Sequence, residues 1–162
     1  MKINRGFTLL ELVIALGIIV ILSSGVFLSV RQIYRRQINN ASLQLQADLR
    51  YVQRRAIMEG REFGIQFDSH LNRYQFLFRD SNNSPTVYGE YVYLGNEVRL
   101  SNVTFTNGQL FYLPRGTPSN GGSIFLVVGS GDGVYEQQIT VTPSGGRVFV
   151  MEIGHVVATG QR

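Results

Sequence analysis

One carboxylate lies inside the longest apolar run of this 162-residue chain. Residues 7–30 contain a single charged side chain, which is Glu11. A carboxylate inside a hydrocarbon layer is unfavourable by roughly 2.5–3.5 kcal/mol, so we expect Glu11 to have a cationic partner. The run itself contains no basic residue, and the nearest one on its amino-terminal side is Arg5. The chemistry that this position suggests is charge pairing.

A second possible cation would arise if the chain were cut after Gly6. The new amine would then lie on Phe7, four residues and about one helical turn before Glu11. A protonated amine at a helix N-terminus can pair with that carboxylate, and a carboxylate in the first turn also suits the helix dipole. Proteolytic processing could therefore supply the missing partner.

The apolar run is long enough to form a membrane-spanning helix. As a helix, residues 7–30 would extend about 36 Å, against a hydrocarbon thickness of about 30 Å. A cleaved secretory signal is a poorer match, because the run is too long and no A-x-A cleavage site follows it. Basic residues flank the run on both sides, so charge alone does not fix its orientation.

The pattern after the run predicts that the helix continues to about residue 59. Apolar residues recur at steps of four and three, which places them on one face of a helix. Gly60 follows the last turn, where a C-terminal cap is expected, and no proline interrupts residues 1–84. The members of this apolar stripe are Tyr34, Ile38, Ala41, Leu45, Leu49, Val52 and Ala56.

From residue 61 the apolar period changes to two, which predicts β-strands. Residues 68–72 are typical of a hairpin loop, and Asn107-Gly108 predicts a tight hairpin between Phe105 and Leu110. The fold class is therefore α+β, with one helix over about residues 7–59 packed on an antiparallel β-sheet head. Strands are predicted at 63–67, 74–78, 87–94, 98–105, 124–128, 134–142 and 147–153.

Charge and composition exclude several classes of function. The net charge is +4, but residues 31–61 hold seven arginines against two acids, whereas residues 62–162 hold six basic residues against eight acids. A basic nucleic-acid-binding head is therefore not expected. The chain has no cysteine, and it contains no G-x-S-x-G, P-loop or H-E-x-x-H motif. We expect no enzymatic activity, no cofactor and no metal site.

The N-terminal string carries a resemblance to a known family. Residues Gly6 to Leu16, after a short basic leader, resemble the cleavage and methylation motif of type IV prepilins and type II secretion pseudopilins. The resemblance implies that a prepilin peptidase cuts after Gly6 and methylates Phe7. It also implies that Glu11 is the glutamate used in assembly, and that the leader faces the cytoplasm.

Three later stretches narrow the resemblance to the GspH/FimT group of minor pilins, which implies a pilin-like fold. These are residues 41–57 followed by a Phe/Ile strand, residues 113–116, and residues 139–148. The implied protein is a minor pseudopilin or minor type IV pilin, a structural subunit of a secretion pseudopilus or a pilus. Its implied partners are the prepilin peptidase, other minor and major pilins or pseudopilins, the inner-membrane assembly platform, and membrane lipid before assembly.

The same resemblance implies a place in the cell and a division of the chain. The protein would lie in the inner membrane as a single-pass precursor with its head outside the cytoplasm, and in the pilus or pseudopilus after assembly. The expected parts are a prepilin leader (1–6), a transmembrane and filament-core helix (7–30), an amphipathic helix (31–60) and a β-rich globular head (61–162).

An alternative is a DNA-binding minor pilin of a competence pilus. Some FimT-like pilins bind DNA through a Gly-Arg-x-Arg pattern near the C-terminus, and the matching positions here begin with Gly146-Arg147. Phe149 replaces the second arginine, which weakens this reading. DNA contact would then fall on Arg147 and on Arg50, Arg54 and Arg55 of the helix, with the helical arginines the more important.

Overall fold

A computed structural model of the protein describes residues 8–95, 97–129 and 134–156, without the side chains of residues 22–31, 155 and 156. The predicted leader (1–6) and Phe7 therefore lie outside the described residues. The chain divides into two compact units, the first ending at Ile33 and the second beginning at Tyr34. The four-part division expected from the sequence stays a prediction.

One helix, α1, runs from Leu9 to Glu59, as the sequence predicts. Thr8 caps its first turn, because the Thr8 carbonyl and hydroxyl oxygens both accept a hydrogen bond from the Glu11 N–H, at 3.1 and 3.3 Å. Gly60 ends the helix with a φ of 65°, a left-handed conformation that glycine adopts at little cost.

Eight strands follow the helix and form two four-stranded antiparallel sheets. The sheet orders are β3-β2-β1-β5 and β4-β6-β7-β8. The strands are β1 (Phe63–Asp68), β2 (Arg73–Arg79), β3 (Pro85–Tyr93), β4 (Val98–Val103), β5 (Gln109–Tyr112), β6 (Gly122–Val128), β7 (Val134–Val141) and β8 (Val148–Val156). The α+β class is confirmed, and the division of the strands between two sheets is new information.

The second half of α1 and the inner faces of both sheets share one hydrophobic core. Six of the seven residues of the predicted stripe are buried, and Tyr34 at its start is half-buried. Their strand partners in the core include Ile65, Tyr74, Leu110, Ile124 and Ile139. The stripe is thus ordinary core packing, and it fixes which face of the helix turns away from the sheets.

The predicted Asn107-Gly108 hairpin is wrong in its pairing. Both residues have positive φ, 56° and 65°, so the chain does turn sharply there. However, β4 pairs with β6, whereas β5 pairs with β1 of the other sheet. Phe105, just before the turn, is buried and stacks on Phe67 at 5.9 Å between ring centroids. This packing directs the chain from one sheet to the other instead of back along β4.

A polar contact also ties the helix to the first sheet. The Tyr74 hydroxyl of β2 donates a hydrogen bond to Asp48 Oδ2 of α1 at 2.5 Å. Burial raises the pKa of Asp48 above its ordinary value, and the hydrogen bond from Tyr74 opposes that shift. The bond links the second half of α1 directly to β2.

Candidate functional site

Residues 9–21 of α1 present an apolar surface that is exposed. Large apolar side chains at 52–80% exposure lie all around this stretch. A surface of this kind is normally covered by lipid or by other apolar helices. These side chains belong to Leu9, Leu10, Leu12, Val13, Ile14, Leu16, Ile18, Ile19, Val20 and Ile21.

The predicted membrane span over residues 7–30 extends past the side chains that are described. Among the residues whose side chains the structure describes, no helix is both long enough and apolar enough to span a membrane.

Glu11 lies in the first turn of α1 with its side chain exposed. Within the described residues its carboxylate makes no ion pair, whereas its backbone N–H is held by Thr8. Gly6 and Phe7, the predicted cleavage and methylation residues, lie outside the described part of the chain. The capping role of Thr8 is not among the sequence predictions, although the Thr-x-x-Glu spacing of a capping box indicates it.

Three of the four arginines predicted for DNA contact line one open groove. Arg50 and Arg54 lie one turn apart on α1, and Arg147 precedes β8. All three side chains are exposed, and none makes an ion pair with a described carboxylate. We call this feature the arginine groove; it has a volume of about 570 Å³ and is lined by Arg50, Gln53, Arg54, Gly145, Gly146, Arg147, Val148 and Phe149.

A glycine turn brings Arg147 to the helical arginines. The Thr142 N–H donates to the Arg147 carbonyl and the Gly146 N–H donates to the Thr142 carbonyl, both at 3.0 Å. Gly146 is buried with a φ of 63°, and a Cβ there would lie 2.7 Å from Gln53 Nε2 and 3.0 Å from Tyr112 Cε1. The turn can approach the helix this closely only because residue 146 has no side chain.

A second loop meets the same helical residue. Gln53 Nε2 donates a hydrogen bond to the Gly116 carbonyl at 2.7 Å. Gly116 also has a positive φ, 81°, and a Cβ there would lie 2.8 Å from Ile57 Cδ1. The two glycine loops that carry the family resemblance therefore converge on Gln53. The sequence offered no signal for this role, because an isolated glutamine on a helix is common.

Arg55, the fourth arginine predicted for DNA contact, does not line the groove. Arg55 forms an ion pair with Glu59, and its hydrogen bonds lower the pKa of the Glu59 carboxyl. Its guanidinium also lies 4.8 Å from the ring centroid of Phe63 and 5.2 Å from that of Tyr88. These contacts hold Arg55 against the first sheet, outside the groove.

Comparison with known proteins identifies two family matches. Residues 41–145 match the model of the family described as type II transport protein GspH, and residues 1–27 match the prokaryotic N-terminal methylation motif. No curated protein matches the chain in sequence. The match over residues 41–145 contains α1 from Ala41 onward, the Leu113–Gly116 loop and most of both sheets.

Two solved structures of the minor pseudopilin EpsH from the type 2 secretion system of Vibrio cholerae share the fold. The first superposes with a TM-score of 0.56 at 18% identity, covering 72% of this chain and 96% of that one. The second has a TM-score of 0.57 at 16% identity, covering 75% and 99%. Together with the family match, this confirms the resemblance seen in the sequence: the chain belongs to the GspH family of type II transport proteins and carries the prokaryotic N-terminal methylation motif.

Proposed function

We propose that this protein is a minor pseudopilin, a structural subunit of a type II secretion pseudopilus that is cut after Gly6 and N-methylated at Phe7. The observation that carries the proposal is the combination, on one chain, of a methylation motif, exposed apolar side chains over residues 9–21 of α1 and a GspH-type head. EpsH, which shares the fold, is by its description a minor pseudopilin of such a system.

Each part of the chain has a task in this proposal. Before assembly, residues 7–30 anchor the precursor in the inner membrane as a single span, with the head outside the cytoplasm. After cleavage, the exposed apolar face of α1 leaves lipid and packs on the helices of other pseudopilins at the assembly platform. Both environments cover the same side chains, so the helix can move from one to the other without exposing them to water.

The maturation step gives the direct test. Protein from peptidase-positive cells should begin at Phe7, so its mass should be lower by residues 1–6 and higher by one methyl group. Intact-mass measurement checks this result, and protein from a strain without prepilin peptidase is the control. A mature chain that begins at Met1, or one cut near residues 23–25, would contradict the proposal.

DNA binding is the second candidate function, and the arginine groove favours it. Three exposed guanidinium groups around one groove could contact phosphates, although the head carries Phe149 where the competence pattern has arginine. Binding limited to phosphate contacts would be weak and salt-dependent, with a Kd on the order of 10⁻⁴ to 10⁻⁶ M at physiological salt.

We therefore expect the full chain in detergent to bind duplex DNA only weakly. Replacing Arg50, Arg54 and Arg147 together by alanine should remove this binding and flatten its salt dependence, because the phosphate contacts are lost. Arg99→Ala, an exposed arginine on β4, is the matched control and should leave it unchanged. Fluorescence anisotropy across a salt series measures both effects. Nanomolar binding that Arg147→Ala alone abolishes would instead favour a competence pilin.

A further inference from the structure

An apolar row continues from the arginine groove along strand β8. Phe149 and Met151 are 50% and 56% exposed, and they point to the same face of the strand because they are two residues apart. Val148 and Val150, on the other face, pack against the core. Ile153, at the bulge near the end of the strand, is 44% exposed. The groove and this row form one continuous surface.

The composition of this surface favours a protein partner over a nucleic acid. Arginine, methionine and aromatic residues are enriched in protein–protein interfaces. A surface that binds phosphate backbones draws on cations and hydrogen-bond donors, and an exposed Phe-Met row contributes nothing to such contacts.

The position of β8 indicates how a partner would bind. β8 is an outer strand of its sheet, paired only with β7 among the described strands. An edge strand offers backbone N–H and C=O groups to a further strand, and the side chains beside it select the sequence of that strand.

The arginines near the two ends of β8 differ in whether they have a carboxylate partner. This difference indicates the chemistry of the segment that would bind there. At the far end of the strand, Glu152 forms an ion pair with Arg35 at 3.6 Å. Arg35 therefore already has a carboxylate partner. At the near end, Arg50, Arg54 and Arg147 have no carboxylate among the described residues. A segment that binds along β8 should therefore carry acidic residues where it passes Val148 and apolar residues where it passes Met151.

We propose that the arginine groove and the β8 edge bind an extended segment of a neighbouring pilin-type subunit, which adds as a strand to β8 and places a carboxylate in the groove. This interface rests on the proposed function, because it needs an assembly in which such subunits meet. The β8 interface would orient the GspH-type head in the assembly, whereas the apolar part of α1 would hold the subunit in the membrane and later among the other helices.

Site-specific photo-crosslinking of the full chain in cells that produce the whole system tests the interface. Benzoylphenylalanine in place of Phe149 should give an adduct whose partner, by mass spectrometry, is another pilin-type subunit. Arg54→Glu combined with Arg147→Glu should reduce that adduct by about tenfold or more, since like charges then face each other. Arg99→Glu on β4 is the matched control and should leave the adduct unchanged.

A second probe at Leu16, in the exposed apolar part of α1, separates this proposal from the proposed function. If Leu16 crosslinks to pilin-type subunits and Phe149 does not, the β8 interface is wrong and the pseudopilin function stands. If neither position gives such an adduct, both are wrong. A Phe149 adduct with nucleic acid, or one with a pilin-type subunit that the charge reversals leave unchanged, also overturns the interface.

Discussion

Replacing Glu11 by alanine is expected to abolish incorporation into the pseudopilus while leaving the fold and the cut after Gly6 intact. The structure explains why the fold should survive: within the described residues the Glu11 carboxylate makes no ion pair, and the bond from its backbone N–H to Thr8 does not need the side chain. The first turn would keep its cap. Membrane insertion should if anything improve, because a costly charge leaves the apolar segment.

Assembly should fail because a charge pair between helices would be lost. The family resemblance implies two alternative roles for Glu11: it would pair with the methylated amine of Phe7 on a neighbouring subunit, or it would recruit an assembly partner at the membrane. Little water competes for such a pair among apolar helices, so the attraction is stronger there than at an exposed surface. Glu11→Gln should recover only part of the function, since an amide accepts a hydrogen bond but cannot neutralise an amine. Glu11→Asp retains the charge and should recover more.

Incorporation into filaments or into complexes with other minor subunits is the measurement, with processing followed by mass. Wild-type incorporation of Glu11→Ala would show that the carboxylate is not an assembly determinant. A position at the tip, where the first protomer has no neighbour ahead of it to pair with, would account for that result.

Local periodicity was enough to predict the helix and most strands. The stripe from Ile38 to Ala56 repeats with the period of a helix, and each of its members is buried because the same face turns to the sheets. Gly60 could be predicted as the cap because glycine adopts without strain the left-handed conformation that commonly ends a helix. These features depend on residues that are close in sequence.

Features that depend on distant residues could not be predicted in the same way. The Asn107-Gly108 turn has the backbone conformation that its sequence favours, but burial of Phe105 decides which sheet the next strand joins. The arginine groove combines a feature set by residues close in sequence with one set by distant residues. Arg50 and Arg54 share a helix face by spacing alone, whereas Arg147 joins them only through the contact of Gly146 with Gln53.

That contact leads to the second large effect, which is on stability. Gly146→Ala should lower the free energy of unfolding by about 1–3 kcal/mol. One part of the loss is the left-handed φ of 63°, which alanine adopts only with strain. The other part is steric, because the new methyl group would lie 2.7 Å from Gln53 Nε2 and 3.0 Å from the Tyr112 ring.

Relief of that clash has its own cost. The end of the Gln53 side chain can move, but it then gives up its 2.7 Å hydrogen bond to the Gly116 carbonyl. The Tyr112 ring is fully buried in the core and has little room to retreat. The turn is therefore expected to lift away from the helix and to carry Arg147 with it, so the variant should also weaken the Phe149 crosslink.

Gly145 provides a matched control in the same turn. It is exposed, it has no positive φ, and a Cβ there would meet no atom within 4 Å. Gly145→Ala should therefore change the free energy of unfolding by less than about 0.5 kcal/mol. Urea titration of both full-length variants in detergent, followed by circular dichroism, measures the difference. Equal stabilities for the two variants would mean that the turn does not depend on the missing side chain of residue 146, and the account of how Arg147 reaches the groove would fail with it.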